Sequence, residues 1–293
     1  MELVVEADGQ RLPATLTMPL GTVRAGLIPL HGAAAGSRDF YLYEHLARVL
    51  PGDGIAVLRF DRRPGEDGRD VPFHTQAADA RAAIEVLRQH AGEVPVGLWG
   101  ISQGGWAAPV TAAAHPDDVA FLIVVSSCGV SPAVQMRYGS AEQLRRNGYS
   151  QDDLRQLAEL RIAVESYLRG DGDRATAQAL VDDAKLKPWF PLIYLRDELP
   201  APGAWEDMDF DPAAVFAGVS CPVLAFYGET DEWVPIEESV AAWQRTGNAD
   251  LTIERLPGCD HEPVLNGQSD IEAISPEYTT IMTGWLDTRL SAR

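Results

Sequence analysis

The sequence predicts an α/β protein, with a mostly parallel central sheet, helices on both of its faces and one helical insertion. Three observations lead there. Short apolar runs at residues 25–30, 55–60, 96–99, 121–125 and 222–227 have the length and composition of strands buried on both sides. Segments with helical spacing separate most of these runs, the pattern of parallel strands joined by crossover helices. From about residue 129 to residue 211 the alternation stops and only helical signals remain.

In chain order, residues 3–7 and 12–18 alternate apolar and polar positions around Asp8-Gly9, the signal of a hairpin of two antiparallel edge strands. The strand at 25–30 runs into His31-Gly32-Ala33-Ala34-Ala35-Gly36, where small side chains allow a close backbone approach. Residues 39–50 carry Phe40, Tyr43, Leu46 and Val49 at helical spacing and stop at Gly52-Asp53-Gly54. The strand at 55–60 is closed by Asp61-Arg62-Arg63-Pro64-Gly65-Glu66-Asp67-Gly68, and a helix over 76–90 puts Ala80, Ala83, Ile84 and Leu87 on one face. A helix is expected behind Ser102, then the strand at 121–125. In the insertion, Leu154, Leu157, Leu160 and Ile162 recur through 151–169, and 175–185 is a second helix candidate. Trp189, Phe190, Ile193 and Tyr194 cluster ahead of a Pro200-Ala201-Pro202-Gly203 linker. The sheet resumes at 222–227, followed by a helix near 237–243, a last strand at 251–256 and a final helix over about 276–290. The expected division is a first core segment 1–128, a helical cap 129–211 and a second core segment 212–293.

Composition excludes several classes of function. A chain of 293 residues, 46% of them hydrophobic, can bury one large core or a core with a subdomain. Its 24 basic and 43 acidic residues leave a net charge of −19, a surface that repels phosphate backbones and anionic lipids. Neither nucleic acid nor a membrane is therefore an expected partner, and the charge itself is read as a solubility feature. Cys128, Cys221 and Cys259 are far apart with no CxxC spacing, which argues against a disulfide framework and a structural zinc site. The chain opens directly on a strand pattern, without a basic apolar leader, and no apolar stretch reaches about 18 residues. A cytoplasmic setting is the expectation, as monomer or homodimer.

The chemistry concentrates at Gly100-Ile101-Ser102-Gln103-Gly104, a G-x-S-x-G pattern at the end of a strand and the start of a helix. A serine on such a turn is held in a strained backbone that lifts its hydroxyl above the sheet, and neighbours with side chains would clash. Alone, the pattern equally fits a glycine-rich helix start that Ser102 merely caps. The company it keeps favours the nucleophile. A serine hydroxyl needs a histidine to take its proton and a carboxylate to orient that imidazole. In parallel sheets such groups lie beyond the carboxyl ends of strands. Asp231 follows the strand at 222–227 and His261 follows the strand at 251–256, so Ser102, Asp231 and His261 are the candidate triad. Glu229 and Glu232 flank Asp231 and are expected in solvent; Asp260, beside the histidine, is expected to point away from it.

With these marks in this order the chain resembles an α/β-hydrolase, and its capped layout is similar to bacterial carboxylesterases and serine-aminopeptidase-like hydrolases. The resemblance implies that the backbone N–H groups of Ala33 and Gln103 form the oxyanion hole, and that His31 is structural. The sequence departs from the usual glycine-rich loop after the fourth strand, with Pro64 at a glycine position, so Arg63 is given only a structural role. No metal or organic cofactor is implied.

Cap arginines, Arg137, Arg145, Arg146, Arg155 and Arg161, are interleaved with acidic residues and read as solvated faces rather than as a pocket for an acidic substrate. His45, His74, His90 and His115 are expected at the surface, and Cys259 as an unreactive thiol. Trp189, Phe190 and Tyr194 are candidates for a substrate pocket, or else dock the cap. The expected function is a serine hydrolase acting on an ester, thioester or related acyl bond of a small molecule through an acyl-Ser102 intermediate. The alternative is acyl transfer or cyclisation with the same triad, and a non-catalytic receptor is a third reading.

Overall fold

Eight strands carry the apolar runs: β1 (Glu2–Ala7), β2 (Gln10–Thr17), β3 (Ala25–Leu30), β4 (Ile55–Phe60), β5 (Val96–Ile101), β6 (Phe121–Val125), β7 (Val223–Gly228) and β8 (Leu251–Leu256). In the computed structural model, which describes residues 1–33, 36–65 and 69–291, they form one sheet in the order β1-β2-β4-β3-β5-β6-β7-β8. Ala34, Ala35 and Glu66-Asp67-Gly68, which belong to two of the loops singled out above, lie outside the described residues. The β1–β2 hairpin is antiparallel and β2 pairs antiparallel with β4, whereas every pair from β4 to β8 is parallel. Burial matches: β3, β5, β6 and β7 are buried at every position, while β1 alternates. Even Pro29 fits inside β3. Gly26 donates toward the β5 side, so odd positions face β4, and the β3–β4 ladder ends at Leu27 before a proline nitrogen would have to donate.

The helices are α1 (Tyr41–Val49), α2 (Phe73–Ala91), α3 (Gly104–Ala114), α4 (Pro132–Arg146), α5 (Gln151–Arg169), α6 (Arg174–Ala184), α7 (Pro212–Phe216), α8 (Ile236–Gln244) and α9 (Pro276–Ser291). One face of the sheet packs Ile84, Leu87, Ala107 and Trp243 from α2, α3 and α8; the other packs Leu42, Leu46, Met282 and Leu286 from α1 and α9. The helices between β6 and β7 have an apolar cluster of their own, built on Leu157, Leu160, Val164 and Val181. α5 shows why this segment is helical. Ser150 and Asp153 form a reciprocal capping box at its start, Leu157, Leu160, Val164, Tyr167 and Leu168 give it a buried apolar side, and Gly170 ends it at φ 90°.

Because β3 to β8 run in parallel, their carboxyl ends open on one edge, and the loops bearing Ala33, Ser102, Asp231 and His261 all emerge there. The helix α4 was not foreseen. Its buried side is Pro132, Ala133, Gln135, Gly139, Ser140 and Leu144, too small and polar to register as an apolar stripe. It matters for the site, since Gln135 donates to the Trp233 carbonyl (3.0 Å) and Arg146 to the Thr230 carbonyl (2.8 Å), clamping the loop that carries Asp231.

Other expectations need correction. His45 and His115 are half-buried rather than at the surface, and His45 bonds the Thr279 hydroxyl at 2.9 Å, tying α1 to α9. Glu232 is half-buried against Arg146. Arg161 is buried, not solvated, because it turns inward to Ser140 and the Ile193 carbonyl. His31 is buried edge-on between Tyr43 and Phe60, and its Nε2 lies 2.7 Å from the Phe60 carbonyl. Arg63 pairs with Asp79 of α2 and donates to the Ala7 carbonyl, so it fastens the loop after β4 to the hairpin.

Candidate active site

Ser102 sits between β5 and α3 at φ 53°, the left-handed region that residues with a Cβ rarely adopt. The flanking glycines make the turn possible. A Cβ on Gly100 would stand 2.2 Å from the Gly104 carbonyl oxygen, and one on Gly104 would stand 2.4 Å from that of Leu30. The strand, the turn and the helix are therefore in contact backbone to backbone, and Ser102 is pushed out into a cavity of about 520 Å³.

His261 and Ser102 line that cavity together, and Asp231 lies behind the histidine, 2% exposed. His261 Nδ1 stands 3.0 Å from both Asp231 carboxylate oxygens. Asp231 Oδ1 also accepts the backbone N–H groups of Trp233 (2.8 Å) and Val234 (3.0 Å). Burial pushes the Asp231 carboxyl up, but the His261 charge and these hydrogen bonds outweigh it and hold it below the usual range. Burial pulls His261 down, and Asp231, by charge and by hydrogen bond and with help from Glu232 and Glu262, raises it above 6.5. With its Nδ1 proton donated to Asp231, the imidazole has Nε2 left to accept a proton. Glu229 is exposed, and Asp260 is engaged with the Glu262 N–H.

Ala33 and Gln103 line the same cavity. Gln103 is the residue before α3, where N–H groups have no intrahelical acceptor. One network connects the two. Arg62 donates to the Ala33 carbonyl (3.3 Å) and to Asp70 (2.5 Å), and Asp70 accepts the Gln103 side-chain amide (2.5 Å). Sequence reasoning missed Asp70, which no motif marks, and gave Arg62 no role although it lies in the loop that closes the fourth strand.

It also missed Ser126. This residue follows β6 at φ 51°, is fully buried and donates its hydroxyl proton to the His261 carbonyl at 2.8 Å. A positive φ on a serine has no signal in composition, though its place after a central strand was legible. Cys259 is buried and burial pushes its thiol up, which keeps it protonated.

The pocket aromatics separate into two groups. Tyr194 is 65% exposed, lines the cavity and meets Trp233 edge to face. Trp189 and Phe190 do not line it. They are packed in the apolar cluster of the helical insertion, with Trp189 Nε1 bonded to Asp153 at 3.1 Å. Phe40, Phe73, Trp106, Val164, Leu168 and Trp233 also line the cavity, with the polar Gln135, Arg161 and Glu165 among them.

A parallel sheet with a serine elbow and a carboxylate–histidine pair beyond its last strands defines an α/β-hydrolase. Comparison with known sequences agrees: the profile of the alpha/beta hydrolase family matches residues 30–274, and the chain belongs to that family. It is 33% identical over 128 residues to the monoglyceride lipase of Homo sapiens, a match covering 42% of this chain and 41% of that relative. The chain thus matches about two fifths of the length of this curated relative. Among solved structures it is similar to Est1E from Butyrivibrio proteoclasticus (TM-score 0.62, 18% identity, 100% of this chain and 99% of that one). A highly thermostable carboxyl esterase from Bacillus coagulans is similar to the same degree (TM-score 0.63, 16% identity, 99% and 98% covered). At these identities the structural likeness speaks to fold. Among the described residues no helix is long and apolar enough to cross a membrane.

Proposed function

We propose that the protein is a serine hydrolase that cleaves an ester, thioester or related acyl bond of a small molecule through an acyl-Ser102 intermediate. The observation that carries this reading is Ser102 at positive φ on the elbow, sharing one cavity with a His261 whose Nδ1 lies 3.0 Å from both oxygens of a buried Asp231. Ser102 Oγ attacks the acyl carbon as His261 Nε2 takes its proton, and Asp231 stabilises the imidazolium. The N–H groups of Ala33 and Gln103 receive the oxyanion; losing one such donor costs about 3–4 kcal/mol of barrier. His261 then returns the proton to the leaving group, and water repeats the sequence on the acyl-enzyme. The insertion at 129–211 acts as a cap that roofs the cavity and limits water. A volume of about 520 Å³ suits a small molecule rather than a polymer. The names of the similar lipase and esterases favour a carboxylic ester.

The test is labelling with a fluorophosphonate, read by intact mass, alongside turnover of short p-nitrophenyl esters. Ser102→Ala is expected to lose both. A label or turnover that persists in that variant overturns the assignment.

A further inference from the structure

The cap wall holds a cation that the proposed chemistry does not use. Arg161, on α5, lines the cavity and is 4% exposed. Its Nη2 donates to Ser140 Oγ at 2.6 Å and to the Ile193 carbonyl, both neutral acceptors, and its buried Nε has no partner. Among the described residues no carboxylate forms an ion pair with it. The charge of the nearby Glu165 favours the guanidinium, but Arg137 takes both Glu165 oxygens through Nε (3.0 and 2.8 Å), and Glu165 makes no hydrogen bond with Arg161. Arg169 in turn is paired with Asp209 at 2.7 and 2.6 Å. Arg137 and Arg169 thus take up Glu165 and Asp209, and Arg161, which lines the cavity, is left with no carboxylate in hydrogen-bond contact among the described residues.

The acidic groups of the cavity wall are all engaged elsewhere. Asp70 accepts from Arg62, Gln103 and the Val71 N–H, and Glu262 accepts from Tyr41 and Ser269. Around Arg161 the same helix face presents the apolar Val164 and Leu168 to the cavity, beside Glu165. A buried guanidinium among neutral acceptors and apolar side chains is costly, and an anion in reach offsets that cost. Burial brings Arg161 down to about 10, which leaves it fully charged at neutral pH. Its planar group is already held in place by Ser140 and Ile193, so little ordering is needed when a ligand arrives.

We propose that Arg161 forms an anion subsite in the cap wall and that the substrate carries a carboxylate remote from the scissile acyl bond. The substrate statement rests on the acyl-hydrolase reading; the subsite does not. Two probe series place the carboxylate on either side of the cleaved bond: p-nitrophenyl hemi-esters of straight-chain dicarboxylic acids, and acetyl esters of ω-hydroxy acids. Each acid is compared with its neutral carboxamide analogue. Wild-type kcat/KM is expected to favour the acid in one series by about 10- to 100-fold, the range for hydrogen bonds to charged groups. Added salt should reduce that preference. In Arg161→Gln the acid-to-amide ratio should fall toward one. Should that variant not fold, the wild-type ratio and its salt dependence decide alone. Parity in wild type in both series overturns the proposal. So does a loss in Arg161→Gln that is equal for acid and amide, the signature of a side chain that only staples the Ile193 loop. If no ester is turned over, the hydrolase reading has failed, and the subsite is judged by calorimetry with the free dicarboxylates and ω-hydroxy acids on Ser102→Ala protein. Binding that Arg161→Gln abolishes supports it, and absence of binding overturns it.

Discussion

Trp189→Ala and Tyr194→Ala together locate the boundary between the interior of the cap and the wall of the pocket. Trp189 is 1% exposed within the α5–α6 cluster and also holds Asp153. Truncating it removes a fully packed ring from a space that α5 and α6 can close only in part, a change that costs about 3–5 kcal/mol. Tyr194 is 65% exposed and meets Trp233 edge to face, centroids 5.5 Å apart. Its removal should cost about 1 kcal/mol of stability. The two variants are compared by urea unfolding and by kcat/KM across p-nitrophenyl esters of increasing acyl length. Trp189→Ala is expected to lower the unfolding midpoint and depress every ester alike. Tyr194→Ala is expected to keep the midpoint near wild type and shift the long-to-short preference by about 1–3 kcal/mol. The reverse pattern, a stable Trp189→Ala with altered chain preference, would refute this division of the aromatics.

Four further outcomes are expected. Gly104→Ala should abolish turnover, since its Cβ would meet the Leu30 carbonyl at 2.4 Å and displace the elbow; soluble, active protein would contradict that. The activity should rise with pH as His261 loses its proton, and Asp231→Asn, by removing the charge that raises His261, should move that limb to lower pH while cutting kcat by about 10⁴-fold. An unmoved limb in the pH–rate profile would point to another acid. Ser126→Ala should lower kcat about tenfold, by loosening His261, with KM little changed; an effect on KM alone would count against it. Burial holds His31 at about 4, below the 6.5 of an exposed imidazole, so the unfolded chain binds the extra proton between those values. The resulting stability is present above pH 6.5 and is lost as pH falls through 4, reaching about 3 kcal/mol. Denaturation midpoints for His31→Gln should therefore depend less on pH across that window than those of wild type.

What was legible in the chain followed from local rules. A strand buried on both faces must be apolar throughout, so β3, β5, β6 and β7 stood out, and the strand–helix alternation dictated a parallel sheet with its carboxyl ends together. G-x-S-x-G spelled a turn that only glycines permit, and the positions of Asp231 and His261 after β7 and β8 put them at the same edge as Ser102. The cap was another matter. The α4 helix packs through Gly139, Ser140 and Gln135, for which periodicity has no signal. Aromatic residues at 189, 190 and 194 look alike in sequence, yet the turn after α6 sends two into the cap cluster and leaves the third facing the cavity. Arg161 and Glu165, one helical turn apart among other charges, resemble an exposed face. Whether such a charge meets water or an apolar wall depends on which side of α5 the rest of the chain covers, and that is decided by the packing of α4, α6 and the loop at Ile193 rather than by anything within α5 itself.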